Sequence, residues 1–209
     1  MVWPHQLFFI RCVLKTESAF QAHSSYLKRS VFLSLAQMKT LWLIRHAKSS
    51  WQLNALTDFE RPLNERGYRD AYEMPPRVLT GIAKPTHILV SPAVRTYTTA
   101  IIVARHLRIS SAMFTLSPQL YESGVSEYMN VLREVENVHN DVMLFGHNPV
   151  ITELSNQLSG GTIENIPTCG IVRLEFDSAD WAQLDRNKCR LVSFDFPKKN
   201  GSEITNRDA

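Results

Sequence analysis

From residue 38 onward, short apolar runs alternate with stretches of helical spacing. "TLWLIRH" (40–46) is an apolar run ending in polar residues, the pattern of a buried parallel strand. A polar loop containing "ERPLNERG" follows, and then 65–80 places Ala71, Met74 and Val78 on one helical side. Pro75 and Pro76 must start, kink or split that helix. "THILVS" (86–91) predicts a second strand, Pro92 suits a first helical turn, and 93–108 predicts a strong helix with Val94, Ala100, Ile101, Ala104 and Leu107 apolar. "AMFTLS" (112–117) predicts a third strand and 124–138 a helix. "DVMLFGH" (141–147) predicts a fourth strand, followed by Pro149 and a helix to about Leu158. "GIVRLEF" (170–176) and "CRLVSFDF" (189–196) are β-rich and predict a pair of edge strands. Alternating β and α elements predict an α/β fold, a three-layer α/β/α sandwich with a mostly parallel central sheet.

This pattern defines one domain over 38–197, with a polar tail at 198–209. Residues 1–37 read differently: they are basic, poor in acids and without clean periodicity. Three readings compete there: a targeting peptide, a disordered or loosely docked extension, or a segment outside the native product. The last two are favoured, because Met38 directly precedes the first strand and Arg11 interrupts "LFFIRCVL". Charge supports the division. The chain's 23 basic and 20 acidic residues include Arg11, Lys15, Lys28, Arg29 and Glu17 before Met38, which leaves 19 of each sign in the remainder. A balanced domain gives no bulk attraction to nucleic acid, so any anion site must come from a few aimed residues. Cys12, Cys169 and Cys189 fit no CxxC spacing, which argues against a disulfide framework or zinc knuckle and fits a reducing, cytoplasmic setting. No apolar run reaches the length of a membrane span.

In a sheet of this kind ligands bind beyond the carboxyl ends of the strands. The first strand delivers Arg45 and His46 there. The second delivers Ser91, with Arg95 one turn into the next helix. The third leads to Tyr121 and Glu122, and the fourth delivers Gly146, His147 and Asn148. Each residue alone has an ordinary structural explanation. Their convergence from four separate segments does not. Two arginines offer planar, permanently charged forks suited to a phosphoryl group, and a neutral imidazole is a competent nucleophile toward phosphorus. Flanking arginines favour that neutral form. Two histidines beside arginines make a poor metal site, and no phosphate-binding GxxxxGK[ST] loop, dinucleotide glycine fingerprint or GxSxG elbow is present.

These motifs resemble the histidine phosphatase superfamily, branch 1, with its phosphoglycerate-mutase-like fold. "LIRHAKSSW" looks like its arginine–histidine signature. "DFERPLNERG" (58–67), "SPAVRT" (91–96) and "LFGHNP" (144–149) match in order the motifs of the SixA-type phosphohistidine phosphatases. The resemblance covers about 38–196. It implies His46 as the phosphorylated nucleophile and Arg45, Arg95 and His147 as the phosphate pocket, with neither metal nor cofactor. It also implies a compact domain without a large helical cap, for which the short connection from Leu107 to Tyr121 leaves no room. Two positions depart from the pattern. Ala47 stands where relatives have glycine, and its methyl is expected to narrow the backbone approach to the phosphoryl group. Gln52 stands where mutase-like members have asparagine, which weakens a mutase reading.

The leaving group then decides the substrate. A phosphoester expels an alkoxide and needs a general acid, whereas phosphohistidine expels an imidazole whose conjugate acid has a pKa of roughly 6.5. Glu122 is the candidate acid, and Arg61 and Asn148 are further candidate substrate contacts. The favoured expectation is a monomeric phosphatase acting on phosphohistidine carried by a protein, of signalling or phosphorelay type. A small-molecule phosphomonoesterase and an inactive phospho-ligand-binding module are the alternatives. Neither a nucleic-acid nor a membrane partner is expected.

Overall fold

The computed structural model describes residues 38–52, 55–79 and 86–198; the expectations for residues 1–37 and for nearly all of the tail lie outside them. Six strands and four α-helices follow in the order β1 (Met38–Arg45), α1 (Glu65–Val78), β2 (Thr86–Val90), α2 (Val94–Leu107), β3 (Phe114–Leu116), α3 (Val125–Arg133), β4 (Asp141–Gly146), α4 (Val150–Ser159), β5 (Ile171–Asp177) and β6 (Cys189–Asp195). The strands form one sheet, ordered β3-β2-β4-β1-β5-β6. The pairings β3–β2, β2–β4 and β4–β1 are parallel, while β1–β5 and β5–β6 are antiparallel. The predicted mostly parallel α/β/α sandwich is therefore present. One detail is corrected: β5 is an interior strand between β1 and β6, so of that predicted pair β6 alone is an edge, and β3 is the opposite one.

Period-two alternation explains the layers. Leu41 and Leu43 of β1, Leu89 of β2 and Val142 and Leu144 of β4 face a core formed with Tyr128, Met129 and Leu132 of α3 and Ile151, Leu154 and Leu158 of α4. Their neighbours Trp42, Ile44, Ile88, Val90, Met143 and Phe145 face the opposite core, with Ala71 and Met74 of α1 and Ala100, Val103 and Ala104 of α2. Both faces are covered, so β1 and β4 read as unbroken apolar runs rather than as alternations. Each fully buried Leu, Ile or Phe contributes about 1.5–3 kcal/mol, which fixes the strand ends rigidly.

Three element boundaries differ from expectation. Helix α1 runs through Pro75 and Pro76 to Val78, and Leu79 N–H closes its last turn on Pro75 O. β3 is shorter than predicted, because Ser110 Oγ caps a 3-10 turn at Ser111–Met113. α3 stops at Arg133, short of the predicted 138. Lys39 Nζ reaches across from β1 and donates to Asn137 O at 3.0 Å and His139 O at 3.2 Å, and Trp181 Nε1 also donates to His139 O. Past Glu134 the backbone has already left the α-helical pattern, since Val135 N–H donates to Leu132 O and His139 N–H to Glu136 O.

Candidate active site

The C-terminal ends of β1, β2 and β4 open into a cavity of about 520 Å³. Its lining includes Arg45, His46, Asp58, Arg95, Glu122 and His147. The structure thus brings together every site residue expected from sequence, since Arg61 and Asn148 line the cavity as well.

His46 is 8% exposed. Its Nδ1–H donates to Ala47 O at 2.8 Å, which sets the tautomer and leaves a lone pair on Nε2. Nε2 accepts from Arg95 Nε at 3.3 Å. Burial pushes the His46 pKa down to about 3. The bond to Ala47 opposes this, and the charges of His147, Arg95 and Arg45 add to it. Desolvation is therefore the larger cause of the neutral form, and the flanking arginines are secondary to it. His147 lies 5.1 Å from His46 between ring centroids. Its Nε2 pairs with Ser91 Oγ at 2.8 Å, while Nδ1 lies 3.4 Å from Arg95 Nη2. Burial and the Arg95 charge lower its pKa to about 4, against a smaller opposing effect of Asp58.

The arginines are held from outside the cavity. Arg45 Nη1 donates to Ile166 O at 2.7 Å, and Asn148 Nδ2 donates to the same carbonyl at 3.1 Å and to Asn165 Oδ1 at 2.7 Å. Asn148 Oδ1 in turn accepts from Thr152, so its amide is occupied by local scaffolding. Arg45 Nε–H is buried and has no hydrogen-bond partner. An orphaned cationic donor at a strand end suits an anionic oxygen. Arg61 donates from Nε and Nη2 to Asp58 Oδ1 and from Nη1 to Ser49 Oγ, and its guanidinium lies 3.5 Å from the Trp51 ring centroid. Glu122 is exposed at the rim, with φ 51°.

Several supporting residues escaped the sequence reading. Thr99 Oγ1 donates to Arg95 O at 2.7 Å and accepts from Ala47 N at 3.0 Å, which ties α2 to the end of β1. Polar residues at Arg95, Thr96 and Thr99 on the buried side of an apolar helix were the available signal. Tyr128 OH donates to Leu120 O and accepts from His147 N. A Cβ on Gly146 would lie 2.5 Å from that hydroxyl, which explains the glycine before His147. A Cβ on Gly67 would lie 2.1 Å from Lys48 O, which explains the glycine of "NERG". Ala47 corrects an expectation: it is fully buried, its methyl packs in the α1–α2 core, and it does not line the cavity.

Comparison with known proteins agrees with this geometry. The family model "histidine phosphatase superfamily (branch 1)" matches residues 41–130. A solved protein of Nakamurella multipartitia, assigned to the SixA phosphohistidine phosphatases, has a TM-score of 0.67 at 22% identity, over 78% of this chain and 98% of its own. The protein histidine phosphatase SixA complexed with tungstate gives 0.63 at 21% identity, over 75% and 96%. Residues 41–130 thus match the histidine phosphatase superfamily (branch 1), and the fold is that of the SixA structures. An uncharacterized chloroplastic protein of Arabidopsis thaliana is 28% identical over 69% of this chain and 70% of its own. Among the described residues, no helix is long and apolar enough to cross a membrane.

Proposed function

We propose that this chain is a metal-independent phosphatase that passes the phosphoryl group through His46, and that its substrate is phosphohistidine carried by a protein. The observation that carries the reading is His46 itself. It is a buried neutral imidazole whose Nδ1–H is fixed on Ala47 O and whose Nε2 lone pair faces the arginine-lined cavity. Nε2 attacks phosphorus as the P–N bond to the substrate imidazole breaks, and that imidazole, protonated from solvent on its other nitrogen, leaves neutral. Water then attacks phosphorus, breaks the P–Nε2 bond and releases orthophosphate. Arg45 and Arg95 carry the charge on the phosphoryl oxygens, the main contribution in such transfers. His147 lies beside the phosphoryl position, with Nδ1 facing Arg95 Nη2 and Nε2 paired with Ser91 Oγ.

The acids around the cavity favour a good leaving group. Burial raises the Asp58 pKa, but bonds from Arg61, Arg95 and Tyr121 outweigh it and hold the carboxyl at about 2. Burial and the bond to Asp58 push Tyr121 up to about 12. Asp58 is therefore ionised at neutral pH, and Tyr121 keeps its proton and directs it to Asp58 Oδ2. Glu122 at the rim favours a second reading, a small-molecule phosphomonoesterase in which it protonates an alkoxide.

A phosphohistidine protein and a simple phosphoester, assayed side by side without metal for wild type and His46→Ala, test the proposal. The expected result is faster hydrolysis of phosphohistidine, with an acid-labile label on wild type alone. Faster phosphoester hydrolysis supports the second reading. Tungstate binding without turnover of either substrate indicates a phospho-ligand-binding module.

A further inference from the structure

Asp58 is the residue least expected in an anion pocket, because it is itself an anion. Its contacts are ordered. Arg95 donates from Nη1 to the Asp58 backbone carbonyl and from Nη2 to Asp58 Oδ2 at 2.8 Å. These bonds engage the outer edge of the guanidinium. The inner edge, Nε and Nη2, faces His46 Nε2 at 3.3 Å and His147 Nδ1 at 3.4 Å. Arg95 is 5% exposed and spans both imidazoles while its far side is gripped.

We propose that Asp58 is a positioning residue that holds the outer edge of Arg95 and so turns the inner edge onto the phosphoryl position between His46 and His147. Arg61 and Trp51 serve the same end one step further out. The Nε and Nη2 of Arg61 are both spent on Asp58 Oδ1, its Nη1 bonds Ser49, and the indole packs on the guanidinium. Tyr121 OH donates to Asp58 Oδ2 at 3.1 Å from the opposite wall. The carboxylate thus has partners on three sides and acts through Arg95, while Arg61 acts through Asp58 and not on substrate. The inference rests on the phosphoryl-transfer reading only for the location of the phosphoryl group. Arg95's orientation is independent of which phosphorylated molecule enters.

Double-mutant cycles on the full chain test this, read both as turnover and as the dissociation constant for tungstate, with thermal midpoints measured on each variant. Asp58→Ala is expected to lower kcat by about 10²-fold, the usual cost of a misaimed catalytic group, with a much smaller change in KM. Asp58→Asn keeps an acceptor in place and should lose less. In an Arg95→Ala background either Asp58 substitution should cost no more than about twofold, because a residue that acts through another has no effect without it. Arg61→Ala should likewise add nothing to Asp58→Ala. Loss that persists undiminished in the Arg95→Ala background, or gained activity or tungstate affinity on removing the carboxylate, overturns the proposal. An Arg61→Ala effect that survives in Asp58→Ala assigns Arg61 to the substrate and overturns its part. If wild type turns over no phosphorylated substrate, the functional reading fails, while the tungstate cycle still decides the role of Asp58.

Discussion

Two pairs of histidines lie against each other in this domain, one at each end of the parallel strands. His46 and His147 sit at the carboxyl ends, with ring centroids 5.1 Å apart. His87 and His139 sit at the amino ends of β2 and β4, 4.8 Å apart, on the wall of a second cavity of about 320 Å³. Burial is the largest cause lowering the pKa of His46, His147 and His87 alike. Closeness and desolvation therefore do not distinguish the pairs. Their neighbours do. The first pair shares the edge of Arg95 and lies beside Arg45 with its spare Nε–H. The second lines its cavity with Glu134, Glu136 and apolar residues, and His87 Nε2 is taken by Thr115 Oγ1 at 3.1 Å. An imidazole becomes a candidate nucleophile when cations face its lone pair and its other nitrogen is tied down.

The sharpest way to break that contrast is to remove one histidine from each end. His46→Ala is expected to lower turnover by about 10⁴-fold or more, the scale seen when a covalent nucleophile is lost. His87→Ala should change turnover by less than about twofold, as a substitution far from the chemistry. A His87 effect of similar size would show that the carboxyl-end site is misassigned. Next in size is Arg45→Lys. A lysine cannot both hold Ile166 O and present a second planar donor, so kcat/KM should fall by about 10²-fold. Unchanged kinetics would mean that the orphaned Nε–H does not meet the phosphoryl group.

The same contrast explains what was legible in the sequence. Arg45, His46, Arg95 and His147 stand out because each interrupts an apolar run or opens the helix after one. The mostly parallel sheet follows from the alternation of elements, whereas its strand order, with β5 in the interior, does not. Asp58 could be read only as a loop residue, because its partners Arg95 and Tyr121 are 37 and 63 positions away. The early end of α3 was hidden for the same reason. The apolar spacing at Val135 is local, while the Lys39 and Trp181 donors that hold the segment after the helix are far away in sequence.

Acid titration sharpens the comparison at the level of stability. The folded pKa values of His46 and His147 are about 3 and about 4, below the unfolded value of 6.5. The unfolded chain therefore takes up protons first as pH falls, and stability present above 6.5 declines through 6.5 toward 4. Asp58 acts lower: its folded pKa of about 2 lies below the ordinary 3.8, so its contribution is lost between those values. Urea midpoints from pH 7 to 4.5 should fall for wild type and fall less for His46→Asn. An equal slope in both would show that His46 is not held neutral by the fold.

The smallest expected effect lies where the site meets the core. Ala47 contributes two groups with different duties. Its carbonyl accepts His46 Nδ1–H and so sets the tautomer of the proposed nucleophile. Its methyl packs in the apolar layer with Trp42, Ile44 and Leu63, away from the cavity. Ala47→Gly keeps the first duty and deletes the second. A lost buried methyl and a more flexible unfolded chain together cost about 1–2 kcal/mol, so the thermal midpoint should drop. Turnover below that midpoint should stay within about twofold, since the carbonyl remains in place. A large kinetic effect with little loss of stability would move Ala47 from the core into the site, and would make the residue that departs from the family pattern a determinant of its chemistry.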